Sequence, residues 1–148
     1  MNPRDFYRTA EELIGLPSSL EANYRSSISR SYYSSFLQLQ TPILKQASAQ
    51  LLRGANLSRH VSHDWIISTL LNSNVKEIES IGEKLLDLHD LRKCADYKMT
   101  ATIEKFDALG GLKQAADLHA AIDSFGLQKI VAYMIQHIRD LANARSGG

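Results

Sequence analysis

Three polar residues fall on the apolar face of one predicted helix, and their types suit the handling of a phosphate group. The apolar stripe of that helix recurs at three- and four-residue steps: Ile78, Ile81, Leu85 and Leu88. At about 100° per residue, Arg92 lies near the middle of the stripe, with His89 one turn before it and Asp96 one turn after it. A guanidinium can hold two phosphate oxygens, and an imidazole can transfer a proton near neutral pH. Arg92 and Asp96 could equally form a structural ion pair that only satisfies itself.

An earlier helix carries a second inward-facing cation. Arg25 shares a ridge with Ser29, Tyr32 and Phe36 at helical spacing. Tyr32 and Tyr33 are consecutive and cannot face the same way, so one is expected in the core and the other at a polar site. Because two isolated buried guanidiniums would be costly, these positions predict a homodimer whose shared cleft, between the second and fourth helices, relieves both charges.

Other titratable residues form weaker patterns. His60, His63 and Asp64 have only a loose metal-ligand spacing, and no third strong ligand is local. The sequence therefore predicts no metal and no cofactor. His119 and Asp123 are four residues apart on a predicted helix, which favours a surface pair.

Helical periodicity positions all of these residues in an all-α protein. Asn2 and Pro3 begin a first helix that runs to about Ile14, and Ser18 with Glu21 forms a capping box for a long second helix. Sustained alternation of apolar and polar residues is absent, and so are tight hairpin turns. The expected architecture is an up-down bundle of about five to six helices with an extra C-terminal helix.

Several residues predict where the helices begin, break and end. Pro42 should kink or break the second helix, because an interior proline loses a hydrogen bond. Asn74 and Glu77 predict the cap of the fourth helix. Gly110–Gly111 should interrupt the following helix, and Gly126 should end it. The resulting division is a bundle at 1–125, a C-terminal helix at 126–144 packed on the same domain, and a frayed tail at 145–148.

Length, charge and hydropathy exclude several classes of protein. A chain of 148 residues suits one ordinary domain. The formal charge is +1, which leaves no overall field to hold a polyanion, so any nucleic-acid site must be local. No apolar run approaches the roughly 18 residues of a membrane span, and the N-terminus has no apolar signal core. We therefore expect a cytoplasmic protein without a membrane partner.

The motifs in two helices, together with one histidine, resemble a known family. Residues 25–36, His63 ahead of a short helix, and residues 91–97 are similar in order and spacing to the HEPN family (higher eukaryotes and prokaryotes nucleotide-binding domain). The likeness covers about residues 5–122. It is closest to small prokaryotic members in which an Arg-x-x-Ala-Asp-Tyr segment ends the long helix.

The resemblance implies a dimerising helical bundle with motif arginines along a cleft at the dimer interface. Many members are metal-independent ribonucleases of toxin-antitoxin or defence systems, often paired with a minimal nucleotidyltransferase as antitoxin. Arg92 matches the arginine of the nuclease motif, whereas Tyr97 occupies the position of its histidine. A tyrosine transfers protons poorly at neutral pH, so His89 is the chemically better base.

The sequence leaves three functions open. The first is a HEPN-type component that binds RNA or a nucleotide phosphate in the cleft, with ribonuclease activity weak or lost. It assigns ligand binding to five side chains: Arg25, Tyr32, Tyr33, Arg92 and Asp96. The second is an active metal-independent endoribonuclease with Arg92, His89 and Tyr97 as catalytic residues. The third is a non-catalytic partner module for a nucleotidyltransferase or effector, which the neutral charge favours slightly over broad RNA binding.

Overall fold

The computed structural model describes residues 2–17 and 20–147. This part of the chain contains seven helices and no strand. The helices in chain order are α1 (Pro3–Gly15), α2 (Glu21–Gln46), α3 (Ala49–Gly54), α4 (His63–Leu71), α5 (Lys76–Tyr97), α6 (Lys105–Phe125) and α7 (Leu127–Gly147). The predicted all-α class is confirmed. Within the described residues, no helix combines the length and the hydropathy that crossing a bilayer requires.

Helix α2 is the centre of the packing. It contacts α1, α5, α6 and α7. Its large buried side chains include Tyr32, Phe36 and Ile43. Four serines of the same helix are fully buried and let neighbouring helices approach closely: Ser27, Ser31, Ser34 and Ser35. The buried face of α7 completes the main core, so the C-terminal helix packs on the same apolar interior.

The predicted helix breaks at Pro42 and at Gly110–Gly111 are wrong. Helix α2 continues through Pro42 to Gln46, and the chain leaves the helix only at 47–48. The buried neighbour Ile43 holds this stretch in place, so core packing outweighs the hydrogen bond that the proline lacks. Helix α6 likewise continues through Gly110–Gly111. A Cβ at Gly111 would lie 3.5 Å from a side-chain atom of Ile28, so this glycine permits close contact between α6 and α2.

The helix ends also differ from the sequence-based expectations. Helix α5 is the helix that the sequence predicts as the fourth. Its N-cap is Val75, which makes no side-chain hydrogen bond, while Asn74 adopts a φ of 60° and turns the chain ahead of the helix. Ser18 lies outside the described residues. The N-cap of α2 is Leu20, which makes no side-chain hydrogen bond, so the helix begins later than the predicted capping box implies. Helix α7 extends to Gly147, beyond the start of the predicted frayed tail at residue 145.

Arg25 joins the start of α2 to the end of α5. Its Nη1 donates to the carbonyl oxygens of Ala95 at 2.8 Å and Lys98 at 3.2 Å. Its Nη2 donates to the carbonyl oxygen of Ala101 and to Glu21 Oε1, the latter at 3.0 Å. Because the last carbonyls of a helix lack partners within the helix, this guanidinium satisfies groups that would otherwise be unpaired.

We predict that Arg25→Met destabilises the fold. Hydrogen bonds from a charged donor contribute about 1.5 to 3 kcal/mol each, so the free energy of unfolding should fall by about 2 to 4 kcal/mol. Urea unfolding measures the change. Arg30→Met is the matched control, since Arg30 is exposed and only lies over the Phe6 ring; it should cost less than about 1 kcal/mol. Equal losses in the two variants would contradict the capping role.

Candidate functional site

Rings from α2, α4 and α5 pack against one another on one side of the bundle. They belong to Tyr32, Tyr33, Phe36, His63 and His89. The His63 imidazole stacks on Phe36, with ring centroids 4.0 Å apart and planes 10° apart. It also stacks on His89 at 5.5 Å, and Tyr32 contacts both imidazoles. We call these five rings the ring cluster.

Arg92 lies against the ring cluster and is fixed by two partners. Its guanidinium carbon is 5.8 Å from the ring centroid of Tyr32, 5.2 Å from that of Tyr33 and 5.5 Å from that of Tyr97, within the range of cation–π attraction. Nη2 donates to Tyr33 Oη at 2.8 Å. Nε forms an ion pair with Asp96 Oδ2 at 2.8 Å, and the Arg92 side chain is only 13% exposed.

The guanidinium of Arg92 is held in place without using all of its donors. The Nε hydrogen does not point at the Asp96 oxygen, so this buried N–H has no hydrogen-bond partner in the described part of the chain. Nη1 also lacks a hydrogen-bond partner among residues 2–17 and 20–147. It is accessible to solvent, because Nε is the one Arg92 nitrogen in that part of the chain that is both buried and without a partner. Nη1 is therefore the Arg92 donor that remains available to an incoming oxyanion, whereas the buried Nε is out of its reach.

Burial keeps two histidines of the ring cluster neutral. It is the main cause that lowers the pKa of His63, and the neighbouring His89 and Arg92 lower that pKa further. Burial also lowers the pKa of His89, with Lys93 and Arg92 acting in the same direction. Both imidazoles are therefore uncharged at pH 7, the form that can accept a proton.

Tyr32 orients the His63 ring. Its Oη lies 2.5 Å from His63 Nδ1. Burial raises the pKa of Tyr32 far above its usual value, so the phenol stays protonated and the contact joins two neutral groups. The hydroxyl can donate to Nδ1 or accept from an Nδ1–H. His63 Nε2 has no hydrogen-bond partner among the described residues and is not fully buried.

The structure brings together six of the seven residues that the sequence singled out: His89, Arg92, Asp96, Tyr97, Tyr32 and Tyr33. Tyr32 is fully buried, whereas the half-buried Tyr33 reaches Arg92, so the two tyrosines separate as their adjacency predicts. Tyr97 is 68% exposed and covers the outer side of the guanidinium. Arg25 is apart from this group, since its hydrogen bonds go to the end of α5, the loop after it and Glu21.

The sequence patterns did not place His63 beside Arg92. His63 contributed only to the family resemblance and to a loose metal-like spacing with His60 and Asp64 from which no metal was predicted. His60 is exposed, and its carbonyl oxygen accepts from Gln40 Nε2. No group of three or more potential ligand side chains within the described ranges is arranged to hold a metal ion. His63 instead faces Tyr32 across the bundle, a contact between residues far apart in the chain that helical periodicity cannot predict.

The predicted surface pair of His119 and Asp123 is wrong. His119 is buried because α6 packs its side chain against α2, where Nε2 lies 3.0 Å from Ser34 Oγ and Nδ1 lies 2.6 Å from Gln38 Oε1. Asp123 pairs with Arg4 of α1 at 2.5 Å. His119 is therefore a buried, hydrogen-bonded histidine of the helix packing.

Comparisons of this chain with protein-family models, with curated proteins and with solved structures found no match. The chemistry available at the site consequently follows from its own geometry: a fixed cation with spare donors, two neutral imidazoles and an exposed aromatic ring lie together.

We predict that acid destabilises the fold from about pH 6.5 downward. Burial lowers the pKa of His63, His89 and His119 in the folded protein. At a pH below the usual histidine pKa but above these lowered values, the unfolded chain therefore binds protons that the folded chain does not bind. Stability is therefore present above pH 6.5 and is lost as the pH falls. Each histidine contributes a loss of up to about 1.4 kcal/mol per pH unit.

Urea unfolding at pH 7.5 and pH 5.5 measures this loss, and His119→Gln should make the difference between the two pH values smaller. His119 is the suitable position because it lies outside the ring cluster. Equal stability of the wild type at the two pH values would contradict the assignment, and so would an unchanged difference in the variant.

Proposed function

We propose that this protein is a HEPN-type component of a cytoplasmic toxin-antitoxin or defence system, and that Arg92 binds the phosphate of RNA or of a nucleotide. The observation that carries the proposal is the state of the Arg92 guanidinium, which is anchored by Asp96 and Tyr33 yet keeps unpaired donors. A pre-positioned guanidinium loses little side-chain entropy when it binds an oxyanion, and its planar donors match two phosphate oxygens.

Aromatic rings beside the cation favour a nucleotide over a simple phosphate ion. Tyr97 presents most of its ring to solvent while its inner side faces Arg92. Unpaired bases stack on such exposed rings, and stacking of one base contributes about 1 to 3 kcal/mol. Tyr97 can therefore hold a base while Arg92 holds the adjoining phosphate.

The charge of the chain limits the length of the ligand that is engaged. With a net charge of +1 and Arg92 as the central cation, the site suits one or two phosphates instead of a long duplex. Affinity should accordingly depend only weakly on salt, since each neutralised phosphate of a single strand adds about 0.7 to the salt slope.

One end of the bundle supports the proposed homodimer. Helix α1 ends there, α2 begins, α5 ends and α6 begins, and the exposed large apolar side chains of the described chain all lie at this end: Leu16, Leu20, Tyr97, Met99, Phe106 and Leu109. The charge of Arg25 gives no reason to dimerise, because it is satisfied within one chain. Apolar burial is the better argument, and a second copy at this end would also enclose Arg92 from the Tyr97 side.

We predict that Phe106→Asp shifts the protein from dimer to monomer. Phe106 is 81% exposed, and a charge at the centre of an apolar contact opposes association. Sedimentation equilibrium at tens of micromolar measures the mass, with the exposed α6 position Gln114→Asp as control. A monomeric wild type would overturn the dimer and leave the apolar end to a different protein, such as the minimal nucleotidyltransferase that the HEPN resemblance implies.

We predict that Arg92→Gln weakens the binding of a labelled single-stranded RNA about 10- to 100-fold, the effect of losing charge-assisted hydrogen bonds. Lys93→Gln removes the same charge from the adjacent exposed position and should change the affinity less than about threefold. Fluorescence anisotropy gives both dissociation constants. Equal losses would show that only the overall charge matters.

Melting temperatures and ligand binding together separate a binding site from a purely structural ion pair. Breaking a buried pair costs about 3 to 5 kcal/mol, so Arg92→Ala and Asp96→Ala should both lower the melting temperature. If both variants are destabilised and the wild type binds neither RNA nor a mononucleotide, the pair is structural and the proposed function is wrong.

A further inference from the structure

We propose that α3 and the loop after it form a second binding site, which takes a small oxyanion with a short aliphatic chain, either a carboxylate or a phosphate ester. The site does not involve Arg92 and does not depend on the function proposed above. It is a cavity of about 310 Å³, and its lining consists of Ala49, Leu52, Arg53, Leu57 and Arg59. This volume is near the lower limit of ligand pockets, so the ligand must be small.

The two arginines of this cavity have no counter-ion. Neither Arg53 nor Arg59 forms an ion pair or a side-chain hydrogen bond within residues 2–17 and 20–147. No Asp or Glu occurs between Glu21 and Asp64, so the chain that builds the cavity carries no negative side chain. Helix α7 packs against α3, and its one carboxylate, that of Asp140, accepts from a glutamine of α7 itself. Two unpaired guanidiniums at one cavity attract an oxyanion and can bind it through charge-assisted hydrogen bonds.

The rest of the lining is aliphatic. Leu52 is 4% exposed and belongs to the main core, while Leu57 is half-buried and packs against that core. No aromatic side chain of the described residues lines the cavity, so a nucleotide base has no ring on which to stack. A hydrocarbon chain, in contrast, leaves water when it contacts these side chains. The lining therefore favours an aliphatic oxyanion over a nucleotide.

The C-terminus of α3 gives the cavity a fixed shape, because it has a Schellman motif. Asn56 adopts a φ of 58°, its N–H donates to the carbonyl oxygen of Arg53 at 3.0 Å, and the N–H of Leu57 donates to that of Leu52 at 2.8 Å. The motif brings Leu57 next to Leu52. It also satisfies two carbonyl groups of the helix end that would otherwise repel an anion.

The loop that carries Arg59 is fixed from α2. Gln40 Nε2 donates to the carbonyl oxygens of His60 and Val61, the latter at 3.2 Å. Val61 is 1% exposed, and its N–H donates to the carbonyl oxygen of Ser58 at 3.1 Å. The backbone is therefore held on both sides of Arg59. A cavity that exists before the ligand arrives loses little conformational entropy on binding.

The test uses octanoate as the probe and follows the amide NMR signals of the isotope-labelled full chain. Octanoate should shift the signals of residues 49–61 in a saturable manner. Acetate has the charge without the chain, and 1-octanol has the chain without the charge, so each should bind at least about tenfold more weakly. Octyl phosphate is the second oxyanion, and the tighter of the two oxyanions identifies the headgroup.

Two arginine variants test the contacts. Arg53→Gln and Arg59→Gln should each weaken octanoate binding at least about fivefold, because each removes a charged donor from the cavity. Both side chains belong to exposed residues without partners, so the variants should keep the melting temperature of the wild type. Arg8→Gln is the matched control. It removes the same charge from α1, where the side chain is 79% exposed, and should change the affinity less than about twofold.

Several results would overturn this site. They are octanoate and octyl phosphate both failing to shift residues 49–61, shifts confined to the apolar end around Phe106 and Leu109, octanol or acetate binding as tightly as octanoate, and unchanged affinity in both arginine variants. Arg92→Gln should leave octanoate binding unchanged. Failure of RNA binding therefore overturns the proposed function alone, and failure of octanoate binding overturns this inference alone.

Discussion

The compensation of one nearly buried charge organises this protein. Arg92 is 13% exposed, and a guanidinium so far from water requires partners. Asp96 supplies the opposite charge from the next turn of α5, and α2 supplies Tyr33 Oη together with two ring faces. Since these partners neutralise the charge without saturating the donors, the same contacts that stabilise the fold leave part of the guanidinium without a hydrogen-bond partner among the described residues.

The packing of α2 sets the dimensions of the ring cluster. Fully buried serines at Ser27, Ser31, Ser34 and Ser35 let α2 approach its neighbours closely. The close approach lets Tyr32 reach His63 of α4 and His89 of α5. Larger residues at these four positions would separate the helices and leave the histidines without a common neighbour.

Arg25 and Arg92 show which features of a buried side chain a sequence pattern predicts and which it does not. Both lie on inward helix faces, and periodicity predicts that correctly for each. Arg25 meets the backbone carbonyls at the end of α5, whereas Arg92 meets aromatic rings. The helix that carries each arginine determines the direction of its side chain, but the segment packed against that helix determines which groups the guanidinium contacts. The helix breaks predicted at Pro42 and at Gly110–Gly111 are wrong because tertiary packing outweighs local helix propensity at these positions.

The sequence by itself determined the all-α class and the inward position of Arg92, Asp96 and His89 on one helix face. It also determined that one of Tyr32 and Tyr33 lies in the core and the other at a polar site. These follow from contacts within a few residues, where the 3.6-residue repeat fixes geometry. Only the tertiary structure decided that His63 joins Arg92, that His119 is buried, and that the exposed apolar side chains of the described chain gather at one end. Such proximities depend on how helices separated in the chain pack together, and the repeat of a single helix contains no information about its neighbours.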